Sequence, residues 1–511
     1  MRILIFHGYL LRGTGSNVYN ASLCRALLAL GHEIHLLSQE REASELDFVD
    51  AVGRFEDGRL ELDTLREPVR CTVYLPDIQG VLPVYVADRY EHFRAVPFRE
   101  LDDEDLGRYL DANVAAVREV AARAGPEVGL ANHLVMGPAI LARGLQGQVP
   151  YAVKVHGSAL EYTVRPQPER FLPYALEGLR DASCVLVGSR HTAESLWEVT
   201  GDASLPERTR LGPPGVDVGS FRPRQPEEAA ERLSRLADAI ESAGAGGWGG
   251  EAGAPAALRA LDPRREQIVS YVGKLIVSKG VDLLLTAWPL VVARVPAARL
   301  VVVGFGEYRE GLGRLTRALA EADLGAVAEI AARGRELEGG PPGELGYLAS
   351  FLESLDGAAR ESWQAAAPAA AERIHFTGRL EHDQLPDLLP ACRAQVVPST
   401  FPEAFGMVAA EAACCGALPL SAAHSGLAEV SAALAPALEP ELRPLLAFER
   451  GPGAVEDIAA KLVSWLELDH DRRHAAATAL AHAARAQFGW ERVAEGVVAA
   501  AQGRVEELPR P

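Results

Sequence analysis

STFPEAFGMVAAEAACCG, residues 399–416, sets Glu403 in a loop opened by Pro402, marks a turn at Phe405-Gly406, and continues as an Ala- and Cys-rich run through Glu411 to Gly416. The small-residue run reads as a helix carrying Glu411. The first N–H groups of a helix have no partner within it and the macrodipole adds positive potential, so a loop entering a helix suits an anion. The amides of Gly406, Met407 and Val408 are the candidates, and Gly406, lacking a Cβ, lets a phosphate approach the backbone. Glu411 falls about one and a half turns into the helix, where its carboxylate can accept from two vicinal sugar hydroxyls. Glu403, ahead of the helix, faces whatever lies beyond the phosphate. Taken alone, two glutamates at this spacing are ordinary helix residues, one favoured by the dipole and one solvated. The Pro402, Phe405-Gly406 and small-residue context favours the binding reading.

Working outward, a strand at Ala394–Val397 leads into the stretch and another at Leu418–Ser421 follows it. Upstream, the strand Gln267–Val272 meets Gly273-Lys274-Leu275, and Ser278-Lys279-Gly280 opens a long helix with Ser278 as its N-cap. Arg299–Val303 meets Gly304-Phe305-Gly306, and Arg373–Phe376 meets Thr377-Gly378-Arg379. The first half has the same order: strand Arg2–Phe6, helix Ser16–Leu30, strand Glu33–Leu37. Over residues 39–100 only Cys71–Leu75 and Leu82–Val86 read as strands. Then come a helix at Glu104–Ala124 and strands Val128–Ala131, Tyr151–Val155 and Ala182–Val187, running into Asn132-His133, His156-Gly157-Ser158 and Gly188-Ser189-Arg190. Such β-α alternation predicts an α/β fold of mostly parallel sheets with helices on both faces. Polar residues just past the strands' carboxyl ends stand where open α/β sheets bind ligands. The Pro- and Gly-rich segment 212–222 reads as a linker, giving an N-terminal domain 1–211, a C-terminal domain 223–485 and a tail 486–511. Residues near 243–257, rich in Ala and Gly, are expected to be a surface insertion, and residues near 323–370 a second Ala- and Gly-rich insertion.

With 511 residues the chain exceeds the usual size of one core. Its net charge of -19 argues against a nucleic-acid partner and a basic membrane-docking face. The longest apolar stretch, Val281–Val295, is interrupted by Asp282, Pro289 and Arg294, so no stable membrane insertion is expected. MRILIF is too short for a signal peptide and reads as a first strand. Cys24, Cys71, Cys184, Cys392, Cys414 and Cys415 lack metal-ligand spacing and read as core residues of a cytoplasmic protein, the last two inside a helix. Of 51 basic residues only Lys154, Lys274, Lys279 and Lys461 are lysines. Lys274 and Lys279, so close together, suggest a site wanting compact ammonium groups. Gly13-Thr14-Gly15 resembles a phosphate loop, but Val18 stands where a third small residue belongs and the second strand ends in Ser38 rather than an acid. A nicotinamide or flavin cofactor is therefore not expected. Nor is a metal, since no carboxylate pair stands at a strand end; Asp102-Asp103 precede a helix.

GTGSN at 13–17, KVHGS at 154–158, GPPGVD at 212–217, VGKLIVSKG at 272–280, GFG at 304–306, TGRL at 377–380 and PEAFGMVAAE at 402–411 together resemble the retaining, nucleotide-sugar-dependent glycosyltransferases of family four. The likeness spans nearly the whole chain apart from the two insertions and residues 39–100. It implies the GT-B architecture, two Rossmann-like domains facing across a cleft, with the last helix, near Trp490–Ala501, returning to the N-terminal domain. It implies that Glu411 holds the nucleotide ribose, that Glu403 holds the transferred sugar, and that Gly406, Met407, Val408, Lys274 and Lys279 hold the diphosphate. Gly15, Gly304, Gly306, Arg379 and Leu380 complete the donor set. His156 contacts the donor sugar and, with Glu403 and Lys279, forms the catalytic group; Asn17, Asn132 and His133 fall to a carbohydrate or small-molecule acceptor. The family usually has Arg where this chain has Lys274. The implied reaction is metal-free hexosyl transfer from a nucleotide-diphosphate sugar, with amides and ammonium groups stabilising the leaving diphosphate. Same-face transfer in such enzymes gives the acceptor proton to the leaving phosphate, so Glu403 is neither nucleophile nor base. Two alternatives use the same residues: a sugar-nucleotide epimerase or hydrolase, and a non-catalytic sugar-nucleotide-binding protein. The second is disfavoured because Glu403, Glu411 and both lysines are present. The sequence does not fix the oligomeric state.

Overall fold

A stretch of strand covered on both faces is apolar at every position, and Ile3 to Phe6 of β1 (Arg2–Phe6) show the consequence. Leu4 and Phe6 belong to one buried cluster, Ile3 and Ile5 to another on the opposite face. The computed structural model describes residues 1–511 except 14, 57, 86–92 and 245–248. It comprises two compact units, Met1–Gly215 with Phe488–Pro511, and Val216–Gln487. No helix among the described residues is long and apolar enough to cross a membrane.

The first unit adds β2 (Glu33–Leu37), β3 (Ala51–Glu56), β4 (Arg59–Thr64), β5 (Cys71–Leu75), β6 (Val81–Val84), β7 (Arg94–Pro97), β8 (Val128–Asn132), β9 (Tyr151–Val155), β10 (Cys184–Val187) and β11 (Thr209–Leu211). Among the described residues the main sheet runs β11-β10-β9-β8-β1-β2-β5-β3-β4, parallel except for the β3–β4 hairpin; β6 and β7 pair separately. The hairpin escaped the sequence reading because β4, RLELDT, is almost wholly exposed and carries no apolar alternation, as suits a charged edge strand. The expected strand Leu82–Val86 is observed as β6, and Val86 lies outside the described residues. The helix Asp103–Ala124 is capped by Asp102, whose side chain accepts from the Asp105 N–H. The helix Trp490–Ala501 packs into the cluster on the Ile3 and Ile5 face through Val493, Ala494, Val497 and Val498. The unit closes at Gly215, where a Cβ would lie 2.5 Å from the Trp490 ring.

The second unit is one sheet, β14-β13-β12-β15-β16-β17, parallel throughout: β12 (Gln267–Val272), β13 (Ala298–Val303), β14 (Ile374–Gly378), β15 (Cys392–Val397), β16 (Leu418–Ala422) and β17 (Ala447–Phe448). Two expectations are corrected here, and the structure of a third segment is added. Ser278 is not an N-cap: it lies in a 3-10 turn, and the helix Val281–Arg294 is capped by Gly280 at φ +65°, with no side-chain capping bond. The expected insertion 243–257 is tied to the sheet where it is described. Gly250 bridges Gly378, and the helix Ala254–Arg259 buries Pro255 and Leu258. The insertion 323–370 folds into the helices Leu324–Arg333, Gly346–Ser354 and Gly357–Ala371, and buried Trp363 donates from Nε1 to Thr286 O at 3.0 Å. Small residues fold there because they allow close helix packing around one large aromatic anchor. The helix holding Glu411 ends at Cys414, with Cys415 as its C-cap.

Candidate functional site

In the second unit, β12 and β15 are neighbours, so the loops at their carboxyl ends meet. Ser278 O accepts from Thr400 N at 2.9 Å and from Ser399 Oγ at 3.3 Å. Gly280 passes so close that a Cβ would fall 2.1 Å from Pro398 O. This stitching brings two predicted residues together: Lys279 Nζ donates to Glu403 Oε1 as an ion pair. Lys274 stands five residues earlier in the same loop, with its carbonyl accepting from Tyr271 OH at 2.7 Å. Gly304 and Gly306 hold the next loop against this one; added Cβ atoms would meet Gly273 O at 1.8 Å and Leu275 O at 2.4 Å. Their glycine identity therefore follows from backbone packing.

The helix Met407–Cys414 starts at Gly406 with no side-chain cap, which leaves its first amides to other partners. The structure gives Gly406 a further reason: a Cβ there would meet Leu427 Cδ2 at 2.9 Å. Glu411 is 1% exposed. Its Oε1 accepts from His382 Nε2 at 2.8 Å, while Oε2 is buried with no hydrogen-bond partner among the described residues. Burial opposes the charge on His382, but the hydrogen bond to Glu411 and its negative charge outweigh that, and the imidazole holds its proton above the ordinary range. The Glu403 loop is pinned from β16: Ser425 Oγ accepts from Glu403 N at 2.9 Å, Gly426 N donates to Glu403 O at 3.0 Å, and His424 Nε2 bonds Ser399 O at 2.8 Å.

His382, His424 and Ser425 were missed in the sequence. Their signal was available in part, since His424-Ser425-Gly426 follows a strand as His156-Gly157-Ser158 does. Nothing local marks His382, which matters only because the fold sets it beside Glu411. Arg379 and Leu380 lie just past β14, and Leu380 is buried.

In the first unit, Asn132 closes β8, and His133 and His156 stand just past the ends of β8 and β9. Asn132 Nδ2 donates to Phe6 O at 3.2 Å, which orients its amide, and Oδ1 takes the His156 Nε2–H at 2.8 Å. Burial pushes His156 well below its ordinary pKa, so the ring is neutral and Nδ1 carries a lone pair. His133, at φ +68°, has both ring nitrogens buried without a partner among the described residues, 4.8 Å between its ring and that of His156. Asn17 turns inward, accepting from His7 Nε2 at 3.0 Å and donating to Arg12 O at 2.7 Å, so its amide fixes the loop after β1. Gly15 begins its helix with open space over its Cα; Thr14 lies outside the described residues.

Lys154 is buried beneath this layer, donates from Nζ to Gly212 O at 2.5 Å, and lies 5.6 Å from the Tyr19 ring centroid. Burial lowers its pKa from 10.5 to about 7. Between those values the unfolded chain binds a proton that the folded chain does not, so stability rises with pH there, at most by about 1.4 kcal/mol per pH unit. Lys154→Met is expected to abolish that rise, measured as the thermal midpoint of both proteins from pH 7 to 10.

Two family models match the chain: residues 14–215 fit the glycosyl transferase 4-like domain, and residues 356–480 fit glycosyl transferases group 1. The D-inositol 3-phosphate glycosyltransferase of Frankia alni is 28% identical over 501 residues, covering 95% of this chain and 93% of that protein. The protein of the same name from Xylanimonas cellulosilytica is 24% identical over 496 residues, covering 95% and 90%. Among solved structures, Anabaena Alr3699/HepE in complex with UDP and glucose aligns with a TM-score of 0.56 at 16% identity, covering 98% of both chains. Sucrose-phosphate synthase from Thermosynechococcus elongatus aligns with a TM-score of 0.53 at 18% identity, covering 99% and 98%. At such identities the solved structures speak for the fold, and the family models and curated relatives for the chemistry. The chain belongs to the family-four glycosyltransferases and has their GT-B fold.

Proposed function

We propose that the chain transfers a hexosyl group, with retention, from a nucleoside diphosphate sugar to a hydroxyl of a polyhydroxylated acceptor. Glu411 carries the reading. A buried carboxylate oxygen without a donor is costly, and two vicinal ribose hydroxyls complement a carboxylate with one oxygen already held by His382. The diphosphate then lies at the uncapped helix end, Gly406 to Val408, where its charge competes with Glu403 for the Lys279 ammonium; Lys274 supplies a second cation. Glu403, released, meets hydroxyls of the hexose.

When the C1–O bond breaks, its electron pair stays on the β-phosphate oxygen, and fixed amides and ammonium groups stabilise that charge. The acceptor oxygen bonds C1 on the same face and its proton passes to that phosphate oxygen, so the step balances without a metal. The acceptor is assigned to the first unit, where His133 offers two buried ring nitrogens without a partner among the described residues. The six cysteines are free and buried, as suits a reducing cytoplasm.

The HepE neighbour was solved with UDP-glucose and the curated relatives are named for D-inositol 3-phosphate, so these are the first donor and acceptor to try. Retention is expected in the product's anomeric configuration, read from NMR coupling constants, with turnover unchanged in EDTA. An inverted product overturns the proposal. Conversion of the donor to an epimer without any acceptor favours the epimerase alternative.

A further inference from the structure

The segment just before the helix Ala254–Arg259 is strapped across the carboxyl ends of β13 and β14. Gly249 O accepts the backbone N–H of Arg379 at 2.8 Å, and Gly250 forms an antiparallel bridge with Gly378. Glu251 accepts from Arg309 Nε at 2.5 Å and Nη2 at 3.0 Å, and the same guanidinium lies 4.0 Å from the Phe376 ring centroid. The approach is close: a Cβ on Gly249, at φ +81°, would fall 2.8 Å from the Phe305 ring and 3.3 Å from Arg379 Cβ.

Covering β14, the edge strand of its sheet, accounts for the backbone bridge. It does not account for the two-pronged latch to Arg309, which opens the helix after the Gly304-Phe305-Gly306 loop. That latch holds the strap against two residues, Phe305 and Arg379, beside the proposed nucleoside position. His382 grips Glu411 and follows Arg379 by three residues, so a ribose on Glu411 sets its base next to the Arg379–Leu380 turn.

We propose that Gly249–Glu251 form the wall of the base subsite and determine which nucleotide the enzyme accepts. By taking the Arg379 amide and filling the space beside Phe305, the strap leaves room for a pyrimidine and excludes the larger purine. Exclusion by filled space is an effective source of specificity, because the wrong partner meets a clash rather than a weaker contact. This assignment rests on the nucleoside diphosphate sugar reading given above.

The test is calorimetric titration of the full chain with UDP, ADP, GDP and inorganic pyrophosphate. The wild type is expected to bind UDP at least about tenfold more tightly than either purine nucleotide, the scale on which pockets discriminate by size. Glu251→Ala, which releases the latch, and Gly249→Ala, which pushes the strap off Phe305, are each expected to bring that ratio close to one. Pyrophosphate affinity stays unchanged in both, which also reports that the phosphate end of the site remains folded. A wild-type ratio retained in both variants, or a wild type that prefers a purine, overturns the wall. A wild type that binds pyrophosphate but none of the three nucleotides removes the donor reading itself, and the wall with it.

Discussion

Glu411→Gln is expected to weaken nucleoside diphosphate binding by about 100- to 1000-fold while leaving the fold intact. The two proposed ribose hydrogen bonds are charge-assisted, worth roughly 1.5–3 kcal/mol each. Glutamine keeps the shape but presents an N–H₂ donor where at least one acceptor is needed. The substitution also removes the charge that holds the His382 proton. His382 has a raised folded pKa, so its contribution to stability is complete below the unfolded value, near 6.5, and is lost as pH rises through the folded value. The wild type should therefore lose some stability above pH 6.5, and the variant should lack that loss. Calorimetric titration with UDP measures the first effect and thermal unfolding against pH the second. Unchanged UDP affinity would show that the orphaned Oε2 is not the ribose site.

Lys279→Ala is expected to lower kcat by about 100- to 1000-fold, the usual cost of removing one preorganised group that stabilises developing negative charge. Its effect on stability should be under about 1 kcal/mol, because the pair with Glu403 is 30% and 24% exposed and solvent screens it. Turnover and folding are therefore separable. Without the ammonium, Glu403 also remains as an uncompensated carboxylate beside the proposed diphosphate position. For that reason the double variant with Glu403→Ala should fall short of the sum of the two single effects, as expected for groups in direct contact. Lys279→Arg restores charge but not a compact ammonium, and partial recovery is expected. Steady-state kinetics on the wild type and the four variants settles this, and an unchanged kcat in Lys279→Ala would place the leaving group elsewhere.

Much of the site could be read along the chain because its elements are local. A helix beginning at Gly406 puts free amides at its start and Glu411 inside whatever the rest of the protein does, and the strands feeding each loop are apolar enough to announce themselves. The lysine pair also stood out, because arginine serves almost everywhere else. Legibility failed where neighbours in space are distant in sequence. His382 acquires meaning only from Glu411, 29 residues away, and Ser425 only from the Glu403 backbone. Residues 249–251 resembled filler because the two glycines carry no apolar signal, although their backbone atoms and the Glu251 carboxylate make the contacts. The exposed β4 failed for a simpler reason: with no face to bury, a strand loses its pattern.

The sequence by itself determined the parallel α/β layering, the helix N-terminus with its glutamates and the neighbouring basic loop, since hydrophobic period and helix-end chemistry act within a few residues. Only the tertiary structure decided that Lys279 is paired with Glu403, that Glu411 keeps one oxygen bound and one unsatisfied, and that a glycine strap occupies the Arg379 amide. Those facts depend on which strands lie side by side. Strand order is fixed by the packing of whole elements, and no short stretch of chain encodes it.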